Sequence, residues 1–131
     1  MFAETPAVTA NAPGSANVSD DSAIASDKQA LLPGQTATFA NYTSYNNGIN
    51  GLMIDLTAGG NHAAIGLDDY VFRMGSNGTL GGWTPAPDPT ALTIRGNAGE
   101  GGTDRVEITW ASGAIANTWL EVQVLNSDTT G

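Results

Sequence analysis

The sequence predicts an all-β protein, an antiparallel β-sandwich of immunoglobulin-like or jelly-roll-like type with about seven or eight strands. The first observation is a period-two alternation of apolar and polar residues in short segments, which is typical of strands with one buried face. The second is that glycine, asparagine or proline stands between these segments, where chain reversals need them. The third is that no long stretch shows the 3.6-residue period of a helix.

Alternation locates the strands along the chain. The predicted strands are 36–43, 51–57, 70–74, 91–95, 105–110 and 119–125. In the last of these, Leu120 and Val122 share one face, so Trp119 falls on the opposite, polar face. Trp110 alternates with Val106 in the strand before it and is therefore expected in the core.

The stretch "GGWTPAPDPTALTIR" (81–95) places Trp83 ahead of Pro85, Pro87 and Pro89. Proline donates no ladder hydrogen bond, and it biases the preceding residue towards extended geometry. The stretch is therefore predicted to be an extended connection that carries the chain from one sheet to the other. Trp83 is expected either to plug an open end of the sandwich or to present a flat surface to a ligand.

Composition bounds the location and the partners. Thirteen acidic residues stand against four basic ones, a net charge of −9, which disfavours nucleic acid and anionic membranes as partners. Apolar runs are too short to cross a bilayer, and the chain has no cysteine. Abundant glycine, threonine and asparagine with a single lysine favour an extracellular bacterial module over a cytosolic enzyme.

Two regions are predicted. Residues 1–27 are small, polar and aperiodic, so they are expected to be a linker-like N-terminal segment, with an edge strand at 23–25 as the alternative. Residues 28–131 are expected to form the β-sandwich domain.

The segments "ALLPGQTATFANYTSYNNGINGLMIDL", "DYVFRMGSNGTLGGWTPAPDPTALTIR" and "GGTDRVEITWASGAIANTWLEVQVL" together resemble one β-sandwich module. Similar modules occur in large secreted bacterial proteins, often near dockerin-like or cadherin-like repeats. The resemblance covers about residues 29–131. It implies an extracellular, multidomain setting with a binding or adhesive role, and it assigns no site residues.

Aromatic and amide side chains form the predicted ligand site. Indole and phenol rings on a rigid β scaffold stack on sugar rings, and neighbouring amides hydrogen-bond to sugar hydroxyls. Segment "NYTSYNNGIN" and the two tryptophans outside the predicted core supply such groups. The predicted ligand residues are Trp83, Trp119, Tyr42, Tyr45, Asn46 and Asn47.

Loop carboxylates suggest a possible calcium site. The candidates are Asp68 and Asp69 in "GLDDY" and Glu100 and Asp104 in "GEGGTDR". Calcium prefers oxygen ligands of this kind, but neither loop has the spacing of an EF-hand. The alternative is that these residues make local hydrogen bonds within turns.

Catalysis is not expected. His62 stands in a glycine-rich loop without a nearby serine nucleophile, and it is interpreted as a solvent-exposed loop histidine. Glu107 and Glu121 are predicted on polar faces of neighbouring strands, where arginines favour a charge ladder over an acid–base pair.

The predicted function is a non-catalytic extracellular module, carbohydrate-binding or adhesive, within a larger secreted protein. Polysaccharide or neighbouring domains are the expected partners. A structural module that self-associates by strand addition or face packing is the alternative. A fragment of a polysaccharide-active enzyme is the second alternative.

Overall fold

A computed structural model describes residues 2–4, 18–57 and 59–131. The strands are β1 (Phe2–Glu4), β2 (Gly51–Leu56), β3 (Tyr70–Gly75), β4 (Thr84–Pro85), β5 (Ala91–Arg95), β6 (Asp104–Thr109) and β7 (Trp119–Val124). Within the described ranges the other regular elements are short 3-10 helices, at Val18–Ala23, Phe39–Asn41, His62–Ala64, Leu67–Asp69, Leu80–Gly82 and Glu100–Gly102.

The strands form two antiparallel sheets. A four-stranded sheet has the order β1-β2-β6-β5, and a three-stranded sheet has the order β4-β3-β7. All the ladders between these strands are antiparallel. The all-β prediction is confirmed, because the helical elements are single 3-10 segments of three to six residues.

Inward side chains of both sheets meet in one hydrophobic cluster. Ile54 and Ile108 of the four-stranded sheet are fully buried there, with Leu120 of the three-stranded sheet packed against them. Trp110 is 4% exposed and meets Phe72 edge-to-face with ring centroids 5.2 Å apart. The predicted inward faces and the core position of Trp110 are confirmed.

The proline stretch leaves the three-stranded sheet at β4 and enters the four-stranded sheet at β5, as predicted. Trp110 ties this crossing to the core, because its indole N–H donates to the carbonyl of Pro87 at 2.8 Å. Thr90 closes the crossing with a backbone hydrogen bond to Thr109 at 2.7 Å.

The strand predicted at 36–43 is wrong. This segment contains the 3-10 helix Phe39–Asn41, which the side chain of Thr38 caps by accepting from the amide of Ala40. The Asn41 side chain in turn accepts from the amide of Thr38 at 2.7 Å. Threonine and asparagine side chains here satisfy backbone groups locally, and this local satisfaction competes with sheet pairing.

The linker-like prediction for 1–27 falls partly on residues 1 and 5–17, which lie outside the described residues. From Val18 to Ala23 the chain forms a 3-10 helix, in which Asp20 is only 3% exposed. β1 is one edge strand of the four-stranded sheet, with Ala3 paired to Ile54. Residues 23–25 belong to no strand, so the alternative edge strand at 23–25 is wrong.

Candidate functional site

The outer face of the three-stranded sheet carries two of the predicted ligand residues. Gly75 of β3 pairs directly with Trp119 of β7, and Met74 pairs with Thr84 of β4. Met74 packs against the core, so its neighbour Gly75 and the cross-strand partner Trp119 face outwards. Trp83 immediately precedes β4 and lies beside Gly75 on the other side.

The indole of Trp83 lies on the backbone of Gly75. A Cβ placed on Gly75 would overlap ring atoms Cγ, Cδ1 and Nε1, so only glycine permits this packing. The indole N–H donates to the carbonyl of Asn77 at 3.0 Å, which fixes the orientation of the ring. An aromatic ring covering a strand glycine is a known stabilising arrangement in sheets. Trp83 is therefore packed on an outer sheet face, and it does not plug an end of the molecule.

Trp83, Gly75 and Trp119 form one row across the sheet, which we call the tryptophan row. Both tryptophans are half-buried. Adjacent strands lie about 4.8 Å apart, so the two tryptophan backbones are separated by roughly 10 Å across Gly75. Thr118 supports the row, since its hydroxyl donates to the carbonyl of Gly75 at 3.1 Å.

An ion pair borders the tryptophan row. Arg73 is the cross-strand partner of both Pro85 and Glu121, so the three residues form the next row of the same face. The Nη2 of Arg73 donates to both carboxylate oxygens of Glu121, at 2.8 and 3.1 Å. This face thus combines two indole rings with charged hydrogen-bonding groups.

The segment 41–50, which we call the amide-rich loop, lies at the same end of the strands as Trp119. Its Ile49 forms an isolated bridge with Ile115, in the loop that leads into β7. The Tyr45 hydroxyl accepts from the side chain of Asn47 at 3.3 Å, and Asn46 is exposed.

Tyr42 belongs to a different contact. It is 44% exposed, and its ring centroid lies 4.9 Å from that of Phe39. Among the described residues the aromatic partner of Tyr42 is Phe39 and not a tryptophan of the row, and the six-residue ligand site stays a prediction.

The predicted calcium residues lie at the opposite end of the strands, in two 3-10 helices and at the first residue of β6. Asp69 accepts hydrogen bonds from Thr129, the Gly66 amide and Ser127, and these donors hold the pKa of its carboxyl below the ordinary value. Asp68 and Glu100 are exposed. Across 2–4, 18–57 and 59–131, no three acidic or histidine side chains converge into a metal-binding group. The calcium prediction gains no support from these carboxylates.

Asp104, the fourth of these residues, instead pairs with His62. Its Oδ2 lies 2.7 Å from Nδ1 of His62, and its Oδ1 accepts from the amide of Asn97 at 2.9 Å. The Asn97 amide and the imidazole together lower the pKa of Asp104. His62 is only 8% exposed, so the prediction of a solvent-exposed histidine is wrong.

His62 and Asp104 border a depression of about 340 Å³. Its described lining contains no serine or cysteine, and its hydroxyl residue, Thr103, donates to the carbonyl of Glu100 at 2.8 Å. Nε2 of His62 is buried and makes no hydrogen bond with the described residues. The pair is an oriented imidazole without an aligned nucleophile, and it supplies no complete catalytic triad.

A buried charge cluster occupies the outer face of the four-stranded sheet. Arg95 of β5 and Arg105 of β6 are direct cross-strand partners. Asp21 joins them, accepting two hydrogen bonds from Arg95 at 2.7 and 2.9 Å and one from Arg105 at 3.0 Å. Arg105 also donates to both oxygens of Asp55, at 2.7 and 2.8 Å.

Glu107 completes this cluster and is 4% exposed. Its carboxyl shares a hydrogen bond with that of Asp20, and its Oε2 accepts from Arg95 at 3.5 Å. Glu121 belongs to the other sheet, so the prediction that Glu107 and Glu121 lie on neighbouring strands is wrong. Sequence reasoning missed Asp20 and Asp21, for which the one available signal was an acidic pair in an otherwise uncharged stretch.

The comparisons with known proteins identify no relative. No family model matches the chain, and neither a curated protein nor a solved structure is significantly similar to it. None of the helices in the described ranges has the length and apolar character needed to span a membrane.

Proposed function

We propose that this protein is a non-catalytic extracellular module whose two sheets form an immunoglobulin-like or jelly-roll-like sandwich, and that it binds polysaccharide through the tryptophan row. The observation that carries the proposal is the seating of Trp83 on Gly75 beside Trp119. The Trp83 ring loses little conformational entropy on binding, because the Gly75 backbone and the hydrogen bond to the Asn77 carbonyl already hold it in place.

The shape of the face favours an extended chain as the ligand. Two half-buried indoles side by side on one outer sheet face offer stacking positions for sugar rings of one linear chain. Arg73 and Glu121 stand next to the row and supply a donor and an acceptor for sugar hydroxyls. A net charge of −9 disfavours acidic polymers, so a neutral polysaccharide is the proposed ligand class.

Affinity electrophoresis tests the proposal. The intact chain is run through gels containing hydroxyethyl cellulose, galactomannan or arabinoxylan, with pectin as an acidic polymer. We expect retardation by at least one neutral polymer. Trp83→Ala and Trp119→Ala should each weaken binding by about fivefold or more, because each removes a stacking contact of about 1 kcal/mol.

Phe39→Ala is the matched control, since Phe39 is an aromatic residue with 76% exposure outside the row. Binding should survive this substitution. Unchanged mobility of the parent chain in every gel would contradict the proposal, as would full binding by both tryptophan variants.

A structural, self-associating module is the second candidate. The observation that favours it is that β7 is an edge of the three-stranded sheet in the described part of the chain. An edge strand presents unpaired backbone groups to which a second copy can add a strand. Sedimentation at increasing concentration distinguishes the two candidates, because a glycan-binding monomer keeps its sedimentation coefficient and a strand-adding module does not.

A further inference from the structure

We propose that the hydrogen-bonded carboxyl pair of Asp20 and Glu107 is a proton-dependent latch that fastens residues 18–27 to the outer face of the four-stranded sheet. The latch consists of one carboxyl from the N-terminal segment and one from β6. It lies outside the tryptophan row and does not depend on glycan binding.

Burial makes the pair dependent on a proton. Asp20 is 3% exposed and Glu107 is 4% exposed, so neither carboxylate is freely hydrated. Two ionised carboxylates at hydrogen-bond distance repel each other, whereas one shared proton turns the same contact into an attraction. Burial, followed by the contact with Asp20, raises the pKa of Glu107 to about 7.

The surrounding charges do not cancel this repulsion. Arg95 reaches Glu107 at 3.5 Å, but the same guanidinium makes shorter hydrogen bonds to Asp21. Arg105 is divided between Asp21 and Asp55. By register, the direct cross-strand partners of Glu107 are uncharged, Met53 on β2 and Thr93 on β5.

Opening of the segment should follow the release of one proton. When Glu107 is exposed to water its pKa returns to the ordinary 4.5, so the open state binds fewer protons than the closed state between about pH 4.5 and 7. The opening equilibrium should therefore rise by roughly tenfold per pH unit in this window and level off above pH 7. The hydrogen bond from Arg95 holds the pKa of Asp21 below its ordinary value, so Asp21 stays ionised across the window and its ion pairs oppose opening equally at every pH in it.

Amide hydrogen exchange on the intact chain tests the latch. The reporters are the amides of Ile24 and Lys28, which donate to Asp21 and Ala25 at 3.3 and 2.9 Å. After correction for intrinsic exchange rates, their protection should fall by roughly fortyfold between pH 5 and 7. Glu107→Gln, which mimics the protonated acid permanently, should keep the protection constant.

Glu121→Gln is the matched control, because it changes the same group on the other sheet and should leave the wild-type profile intact. Asp20→Asn serves as a second latch variant; it removes the contact with Asp20 but not the burial, so it should lower the Glu107 midpoint and narrow the pH window without flattening the profile. A carboxyl carbon-13 NMR titration of Glu107 in the unmodified chain gives a reading that needs no variant. Equal protection at pH 5 and 8, a wild-type profile in Glu107→Gln, or a Glu107 midpoint below pH 5.5 would overturn the proposal.

Discussion

The outer faces of the two sheets differ in their access to water. On the four-stranded sheet, outward-facing Met53, Arg105 and Glu107 are 2%, 8% and 4% exposed, so this face is covered. On the three-stranded sheet, outward-facing Arg73 and Trp119 are only half-buried. Both faces show the same alternation in sequence, and a polar periodic face therefore does not by itself mean a solvated face.

Charge placement explains why one face needs its cover. Arg95 and Arg105 are direct cross-strand partners, and like charges in that position destabilise a sheet. Asp21 reaches both arginines from outside the sheet. On the open face, Arg73 already faces the opposite charge of Glu121, and no third group is required. The covered face is therefore assigned to stability, and the open face is available for binding.

The largest expected difference between the two faces is the pH dependence of stability that buried Glu107 contributes. Its folded pKa of about 7 exceeds the ordinary 4.5, so the folded chain binds the extra proton and loses stability as the pH rises from 4.5 to 7. The loss should reach at most about 3 kcal/mol, and it should be absent in Glu107→Gln. Urea unfolding at pH 5 and pH 8 measures it.

Asp21 and Asp55 give the unfolding free energy the opposite pH dependence, on the acidic side. The hydrogen bond from Arg95, against the effect of burial, lowers the pKa of Asp21 below the ordinary 3.8. Burial favours the protonated form of Asp55, but donors from Arg105 and the Glu100 amide outweigh it and lower its pKa too. Their contribution is present above about pH 4 and is lost on acidification, so stability should peak near pH 4.5–5. A flat profile from pH 5 to 8 would contradict the assignment of Glu107 to a buried acid pair.

The next effect in size is the loss of the carboxylate that bridges the two arginines. Asp21→Asn removes the negative charge between Arg95 and Arg105, which are only 9% and 10% exposed in their side chains. We expect unfolding free energy to fall by about 2 kcal/mol, less than for a fully buried pair because Asp21 itself is 34% exposed. Denaturant unfolding at pH 6 checks this value. An effect below about 0.5 kcal/mol would mean that the cover contributes little to stability.

Sequence alternation predicted the sheet strands well because a one-face burial pattern is local. Segments 51–57, 70–74 and 91–95 coincide closely with β2, β3 and β5. Alternation says nothing about what covers an outer face, since the covering group comes from far along the chain. Arg95 and Asp21 are 74 residues apart, and His62 and Asp104 are 42 residues apart. For the same reason the sequence did not predict that Trp83 packs on Gly75, because that contact depends on a strand register that the sequence does not display.

Trp83→Ala tests the open face with a smaller expected cost in stability. The ring is half-buried and donates one hydrogen bond, so its removal should lower unfolding free energy by about 1–2 kcal/mol, less than the 3–5 kcal/mol of a buried aromatic. Thermal and urea unfolding of Trp83→Ala measure this loss, and the same experiments on Phe39→Ala serve as the control. A loss of about 4 kcal/mol would show that Trp83 acts as a core residue, and the open-face interpretation would then be wrong.

The smallest effect is expected at Glu121, and it completes the comparison with Asp21. Glu121→Gln makes the same kind of change as Asp21→Asn, a carboxylate replaced by an amide, but next to a single arginine that is 32% exposed. Water can hydrate Arg73 after the change, whereas the two arginines beside Asp21 stay covered. We therefore expect the unfolding free energy to fall by less than about 0.5 kcal/mol. In 0.5 M NaCl this difference should become smaller still, because salt screens the ion pair. Urea unfolding of both variants in one buffer measures the difference directly, and equal losses would show that the two faces have the same electrostatic environment.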